Sequence, residues 1–164
     1  MSPSSIAAPD ARLILSDDAL DRTLELFLLA EAALWITADG GLEGEPNGLG
    51  RGHFRAAFLL KRRPGLGVQE LARLTGLSKQ GASRVLNDLI EAGYAFKTAV
   101  GGDARRRPAE LTEAGVAFEG RISQRLRSGL ARAYRAAGMS NVPAASVVLA
   151  ALAGTVHRET DLKS

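Results

Sequence analysis

The chain has 164 residues, 46% apolar but only 5% aromatic, a composition that suits one compact core of Leu, Ala, Val and Ile with helical extensions. It contains no cysteine, which excludes disulfide staples, thiolate zinc sites, thiol nucleophiles and cysteine redox sensing. The net charge of +3 conceals a division: residues 1–50 carry two Arg against nine acids, a net of −7, whereas residues 51–107 carry a net of +8 and residues 108–164 a net of +2.

A basic middle segment suits a polyanionic partner. The same imbalance also fits an unevenly charged solvated surface, so the position of the charges along the chain decides between the two. The apolar stretch from Leu24 to Ile36 carries Glu25 and Glu31 and is too short to cross a bilayer. The first residues lack a basic region followed by an apolar one. A cytoplasmic protein with no membrane association is therefore expected. His53 and His157 are the only imidazoles and lie far apart in the sequence, so no metal site or cofactor is expected either.

The chain opens loosely, with an apolar anchor at Leu13, Ile14 and Leu15. Ser16 can cap a helix, with Asp17 and Asp18 at its positive end. That helix runs to about Ala38 and is apolar on most sides, through Leu20, Leu24, Leu26, Phe27, Leu28, Leu29, Leu34, Trp35 and Ile36. Such a helix must be buried on most sides, which in so short a chain suggests a partner subunit. A glycine-rich connection over residues 39–50 leads to a helix over about Leu49 to Arg63, with Leu49, His53, Ala56, Ala57 and Leu60 facing inward and Phe54 and Phe58 alongside. Pro64-Gly65 stops it.

A short helix over Val68 to Leu74 follows, then the turn Thr75-Gly76-Leu77, then a helix capped by Ser78 over about Lys79 to Ala92. Ala82, Val85, Leu86, Leu89 and Ile90 form its buried stripe; Lys79, Gln80, Ser83, Arg84 and Asn87 lie largely opposite. Tyr94 to Thr98 alternates like a strand, and Pro108 to Leu111 would return beside it as an edge strand. The tip between them carries Asp103, Arg105, Arg106 and Arg107. Thr112 caps a long helix in which Phe118, Ile122, Leu126, Leu130, Ala133 and Ala137 recur at spacings of three or four. Gly138 closes it, and Pro143 can start a last helix with Val147, Val148, Ala151, Leu152 and Val156 on its apolar face.

Residues 68–92 have the spacing of a helix-turn-helix, in which the first helix braces the second and the second presents a polar face to the major groove. Lys79, Gln80, Arg84 and Asn87 are long, or hold both donors and acceptors, as base-edge reading requires. Ser83 is small enough for close approach to phosphate. A helical hairpin inside an ordinary bundle fits these 25 residues equally well. The basic hairpin that follows favours DNA, because a glycine-rich tip lets an arginine reach a narrow, negative minor groove. Asp103, two residues before Arg105, can orient its guanidinium.

Asp103-Ala104-Arg105 followed by Leu111-Thr112-Glu113-Ala114-Gly115 resembles the wing and following helix start of the MarR family of bacterial regulators. Val68-Gln69-Glu70-Leu71-Ala72, Gly76-Leu77-Ser78, Val85-Leu86 and Leu89 through Tyr94 resemble its helix-turn-helix. The resemblance covers about residues 49–116. It departs at Gly67, where a Ser or Thr cap is common, and at Pro108 in the wing strand. It implies a mainly α fold with a small β-hairpin wing: a winged helix-turn-helix flanked by N- and C-terminal dimerisation helices. In one continuous fold, residues 1–46 would hold the N-terminal segment and dimerisation helix, 47–112 the DNA-binding lobe and 113–164 the C-terminal dimerisation helices. It further implies a homodimer on a near-palindromic double-stranded DNA operator, usually as a repressor and sometimes relieved by a small-molecule effector. Ser78, Lys79, Gln80, Ser83, Arg84 and Asn87 would come from the recognition helix. Arg105 would enter the minor groove, steadied by Asp103 and flanked by Arg106 and Arg107. An effector cleft would take Trp35, His53, Phe54 and Phe58, each of which ordinary core packing also explains.

Three other classes compete. A degenerate winged helix serving as a protein-interaction module would have lost its basic face, but Lys79, Arg84 and Arg105 to Arg107 are present. A non-specific architectural binder would contact phosphate without preferring any sequence. An enzyme would need a nucleophile with a base, paired carboxylates, a phosphate loop or a metal motif, and no such pattern occurs, so no catalytic residue is assigned.

Overall fold

The computed structural model describes residues 11–98 and 108–161. These fall into two compact units that divide between Ile36 and Thr37.

The first unit is helical. A single turn, α1 (Ala11–Ile14), precedes the long helix α2 (Asp17–Asp39), whose last residues belong to the second unit. The Ser16 hydroxyl accepts from the Ala19 N–H at 3.4 Å, and Asp17 and Asp18 occupy the first turn, where the helix dipole favours them. Leu20, Leu24, Leu26, Phe27, Leu28 and Leu29 are exposed along α2. The all-round apolar pattern that predicts burial is thus left uncovered within one chain.

The second unit holds α3 (Arg51–Arg62), α4 (Val68–Thr75), α5 (Lys79–Glu91), strands β1 (Ala95–Lys97) and β2 (Ala109–Leu111), α6 (Glu113–Ala137) and α7 (Val142–Asp161). α3 is central and packs against α4, α5, α6 and β2. It begins two residues later than its apolar pattern suggests. Pro46–Gly48 forms a 3-10 turn, and Gly50 is extended at φ −131°, so the helix cannot start until Arg51. Leu49 is nonetheless buried, as are Phe54, Ala56, Ala57 and Leu60. Leu71, Leu86, Leu89, Phe118 and Ile122 complete the core, and each such fully buried side chain contributes roughly 1.5–3 kcal/mol.

The two strands pair antiparallel with Ala95 opposite Leu111, Phe96 opposite Glu110 and Lys97 opposite Ala109. Above them the Thr98 N–H donates to the Pro108 carbonyl at 2.9 Å, so the proline supplies an acceptor where it has no donor. Thr112 then caps α6, its hydroxyl accepting from the Gly115 N–H at 3.1 Å and donating to the Gly93 carbonyl at 2.7 Å. The first half of α6 is covered; Leu130, Ala133 and Ala137 in its second half are exposed. After Gly138, at φ 88°, α7 presents Val147, Val148, Leu149 and Leu152 outward. Among the described residues no single helix is long and apolar enough to cross a membrane.

Candidate nucleic-acid interface

The chain between α4 and α5 turns on backbone chemistry. α4 ends at Gly76, whose φ of 72° is the left-handed conformation that glycine adopts without penalty. Two residues later Ser78 is extended and its hydroxyl accepts from the Gly81 N–H at 3.0 Å, which fixes the first turn of α5. At the other end the Gly93 N–H bonds the Ile90 carbonyl and the Tyr94 N–H bonds the Leu89 carbonyl, the paired closure of a Schellman motif. Both ends of α5 are therefore set by local sequence.

α5 buries Ala82, Leu86 and Leu89, with Val85 and Ile90 half-buried. Lys79, Gln80, Arg84 and Asn87 are exposed on the other side, with Ser78 at the cap, and Ser83 is partly covered. Five of the six recognition-helix candidates thus share open surface. Among the described residues neither Lys79 nor Arg84 is paired with a carboxylate. The first turns of α2, α4 and α6 each hold an acid that offsets the positive helix end. The first turns of α3, α5 and α7 hold none, and that of α5 carries Lys79. Its N-terminus is electrostatically suited to an anion such as phosphate.

The strands place the wing directly after α5. Asp103, Arg105, Arg106 and Arg107, expected at its tip, lie outside the described residues. At the base of the wing a polar network appears that has no signature in the sequence. Glu45, whose side chain is 7% exposed, accepts from the Tyr94 hydroxyl at 2.7 Å and is ion-paired with Arg121. The hydrogen bond to Glu45 is the main reason the Tyr94 phenol is held above its usual pKa; burial and the Glu45 charge add to it, and Arg121 opposes. The Tyr94 ring stacks on Phe118, centroids 5.0 Å apart. A second hidden pair is Glu119, buried on α6, which meets the Lys61 ammonium of α3 and the Ser123 hydroxyl. Glu119 stands three residues before Ile122, on the covered side of the helix, and that position is the one available signal for it.

The effector candidates divide. Phe54 is core, 4% exposed, and sits 5.9 Å from the half-exposed Phe58, over which the Arg62 guanidinium lies at 5.5 Å. His53 has both ring nitrogens engaged, with the Gly50 N–H and with Asp88. Trp35 belongs to the first unit, where its indole N–H donates to Glu31 at 3.3 Å.

A profile of the MarR family matches residues 47–106, which span α3 to the wing. The HTH-type transcriptional regulator PetP of Rhodobacter capsulatus is 33% identical over 152 residues, covering 93% of this chain and 90% of that protein. The MarR family protein RV2887 of Mycobacterium tuberculosis, solved in complex with salicylic acid, superposes with a TM-score of 0.57 at 28% identity, covering 77% of this chain and 93% of that one. MarR of Staphylococcus aureus, solved with salicylate and kanamycin, gives a TM-score of 0.70 over 87% of this chain and 95% of that one; at 14% identity this is a likeness of fold. Helix-turn-helix, wing and relatives agree: the chain belongs to the MarR family of winged-helix, DNA-binding transcription regulators.

Proposed function

We propose that this protein is a homodimeric repressor that binds a near-palindromic operator. The observation that carries the reading is the exposed basic and amide face of α5, whose Lys79 and Arg84 meet no carboxylate among the described residues. Gln80, Arg84 and Asn87 read base edges in the major groove, while Ser78, Lys79 and Ser83 meet phosphate. Arg105 enters the minor groove, oriented by Asp103 and supported by Arg106 and Arg107. The uncovered apolar residues of α2, α6 and α7 support dimerisation: patches of this kind are rare on monomers, and a second copy would bury them. The RV2887 and Staphylococcus aureus MarR complexes support a small aromatic acid as effector. Phe58, half-exposed beneath Arg62, is the contact in the second unit best suited to one.

Fluorescence-anisotropy titration of the chain against its own upstream DNA and a scrambled duplex, at two salt concentrations, tests the reading. Tight binding to the first alone, at one dimer per site, is the expected result. Equal binding to both would make the protein an architectural binder, and no binding at low salt would make it a protein-interaction module.

A further inference from the structure

His53 joins the start of α3 to the recognition helix. Its Nδ1 accepts from the Gly50 backbone N–H at 2.9 Å, and its Nε2 lies 3.0 Å from Asp88 Oδ2. A ring nitrogen that accepts a hydrogen bond carries no proton, so the ring is the Nε2–H tautomer and donates to the Asp88 carboxylate. The two side chains are 16% and 32% exposed, which shields the contact in part from water.

Asp88 stands in the last turn of α5, where the helix dipole disfavours a carboxylate. The helix itself offers no reason for an acid there; the His53 N–H does. α3 passes the same stretch at Gly52, where an added Cβ would stand in ordinary contact with Val85 Cγ2 at 3.9 Å. α3 is thus docked on α5 at Val85 and Asp88, one turn apart. Their chain neighbours Arg84 and Asn87 are exposed. A helix with its side chains has a radius of roughly 5–6 Å, so a rotation of about 15° moves a side-chain tip by about 1.5 Å. That is enough to break a hydrogen bond to a base.

We propose that His53 is a positioning residue for DNA recognition: acting through Asp88, it holds α5 at the rotation that aims Arg84 and Asn87. The inference rests on the recognition-helix reading above, and its test separates the two.

Operator and scrambled-duplex affinities are measured by anisotropy for the full-length wild type, His53→Gln, His53→Asn, Asp88→Ala and the double variant His53→Asn/Asp88→Ala. A glutamine amide reaches the Nε2 position and donates to Asp88 but cannot serve the Gly50 N–H. An asparagine oxygen serves Gly50 but falls short of Asp88. The expected result is that His53→Gln keeps the operator preference within about twofold, even with a lower Tm. His53→Asn and Asp88→Ala each lose about tenfold, the scale of one hydrogen bond to a charged group. The double variant loses no more than either alone, and scrambled-duplex binding stays constant. Long-range 1H–15N spectra of His53 should show an unprotonated Nδ1. If His53→Asn keeps full preference, if losses merely follow Tm across the variants, or if Nδ1 is protonated, the proposal is overturned while DNA binding stands. A wild type without preference between duplexes overturns both.

Discussion

Gly115, in the first turn of α6, lies against the carbonyl of Tyr94: a Cβ at this position would come within 1.9 Å of that oxygen. The same carbonyl accepts the Thr112 N–H at 3.0 Å, so it cannot swing aside without losing the junction between wing and helix. Gly115→Ala gains helix propensity yet must push backbone against backbone. The expected net effect is destabilisation of about 1–3 kcal/mol, as for other overpacked sites. A urea melt with unchanged slope and a lower midpoint would show it, and an unshifted midpoint would mean that the helix start is free to move.

Tyr94 is tied to a glutamate from a distant loop, and this tie titrates. Because the folded phenol is held above its ordinary value of 10.0, chiefly by the hydrogen bond to Glu45, its contribution is complete below pH 10. It is lost as pH rises through the folded value, because the unfolded phenol ionises first. Tyr94→Phe should cost about 1.5 kcal/mol at neutral pH, typical of a hydrogen bond to a charged acceptor. The gap between variant and wild type should close in melts run above pH 10. No gap between Tyr94→Phe and wild type at neutral pH would show that ring packing on Phe118, not the hydroxyl, matters.

Ser78 combines two roles that a pair of substitutions can part. Ser78→Ala removes the acceptor for the Gly81 N–H and should destabilise by about 1 kcal/mol. Ser78→Asp keeps an acceptor and should match wild-type stability in the same thermal melt. If Ser78 also approaches phosphate, the aspartate variant weakens binding to operator and scrambled DNA alike. Undiminished binding by Ser78→Asp would take this residue off the interface.

Base reading and phosphate contact have different signatures on α5 and the wing. Gln80→Ala or Asn87→Ala should cost ~1–3 kcal/mol of discrimination between operator and scrambled duplex if the residue pairs bidentately with a base. Lys79→Ala should weaken both duplexes and lower the salt slope by about one. Arg105→Ala should weaken operator binding most on sites with a narrow minor groove. Equal losses on both duplexes for Gln80→Ala would reassign it as a phosphate contact.

Much of the fold was legible because its punctuation is local. Ser78 and Thr112 cap the helices they precede, and Gly76, Gly93 and Gly138 take the positive φ angles that end helices. Each demand is met by residues a few positions away. The open face of α5 was legible for the same reason: helical period alone separates Lys79, Gln80, Arg84 and Asn87 from Ala82, Leu86 and Leu89.

Periodicity names a face and not what covers it. The repeat from Phe118 to Ala137 reads as one continuous stripe, but only Phe118 and Ile122 are buried, while Leu130, Ala133 and Ala137 are exposed. The polar ties were equally hidden. Glu45 meets Tyr94 across 49 positions and Arg121 across 76, Lys61 meets Glu119 across 58, and His53 meets Asp88 across 35. Composition and spacing by themselves determined the order of elements, the caps and the exposed polar side of α5, because those follow from backbone geometry over a few residues. Which donor meets each buried carboxylate was decided only by tertiary packing, because a buried carboxylate needs a donor, and folding alone determines which distant donor reaches it.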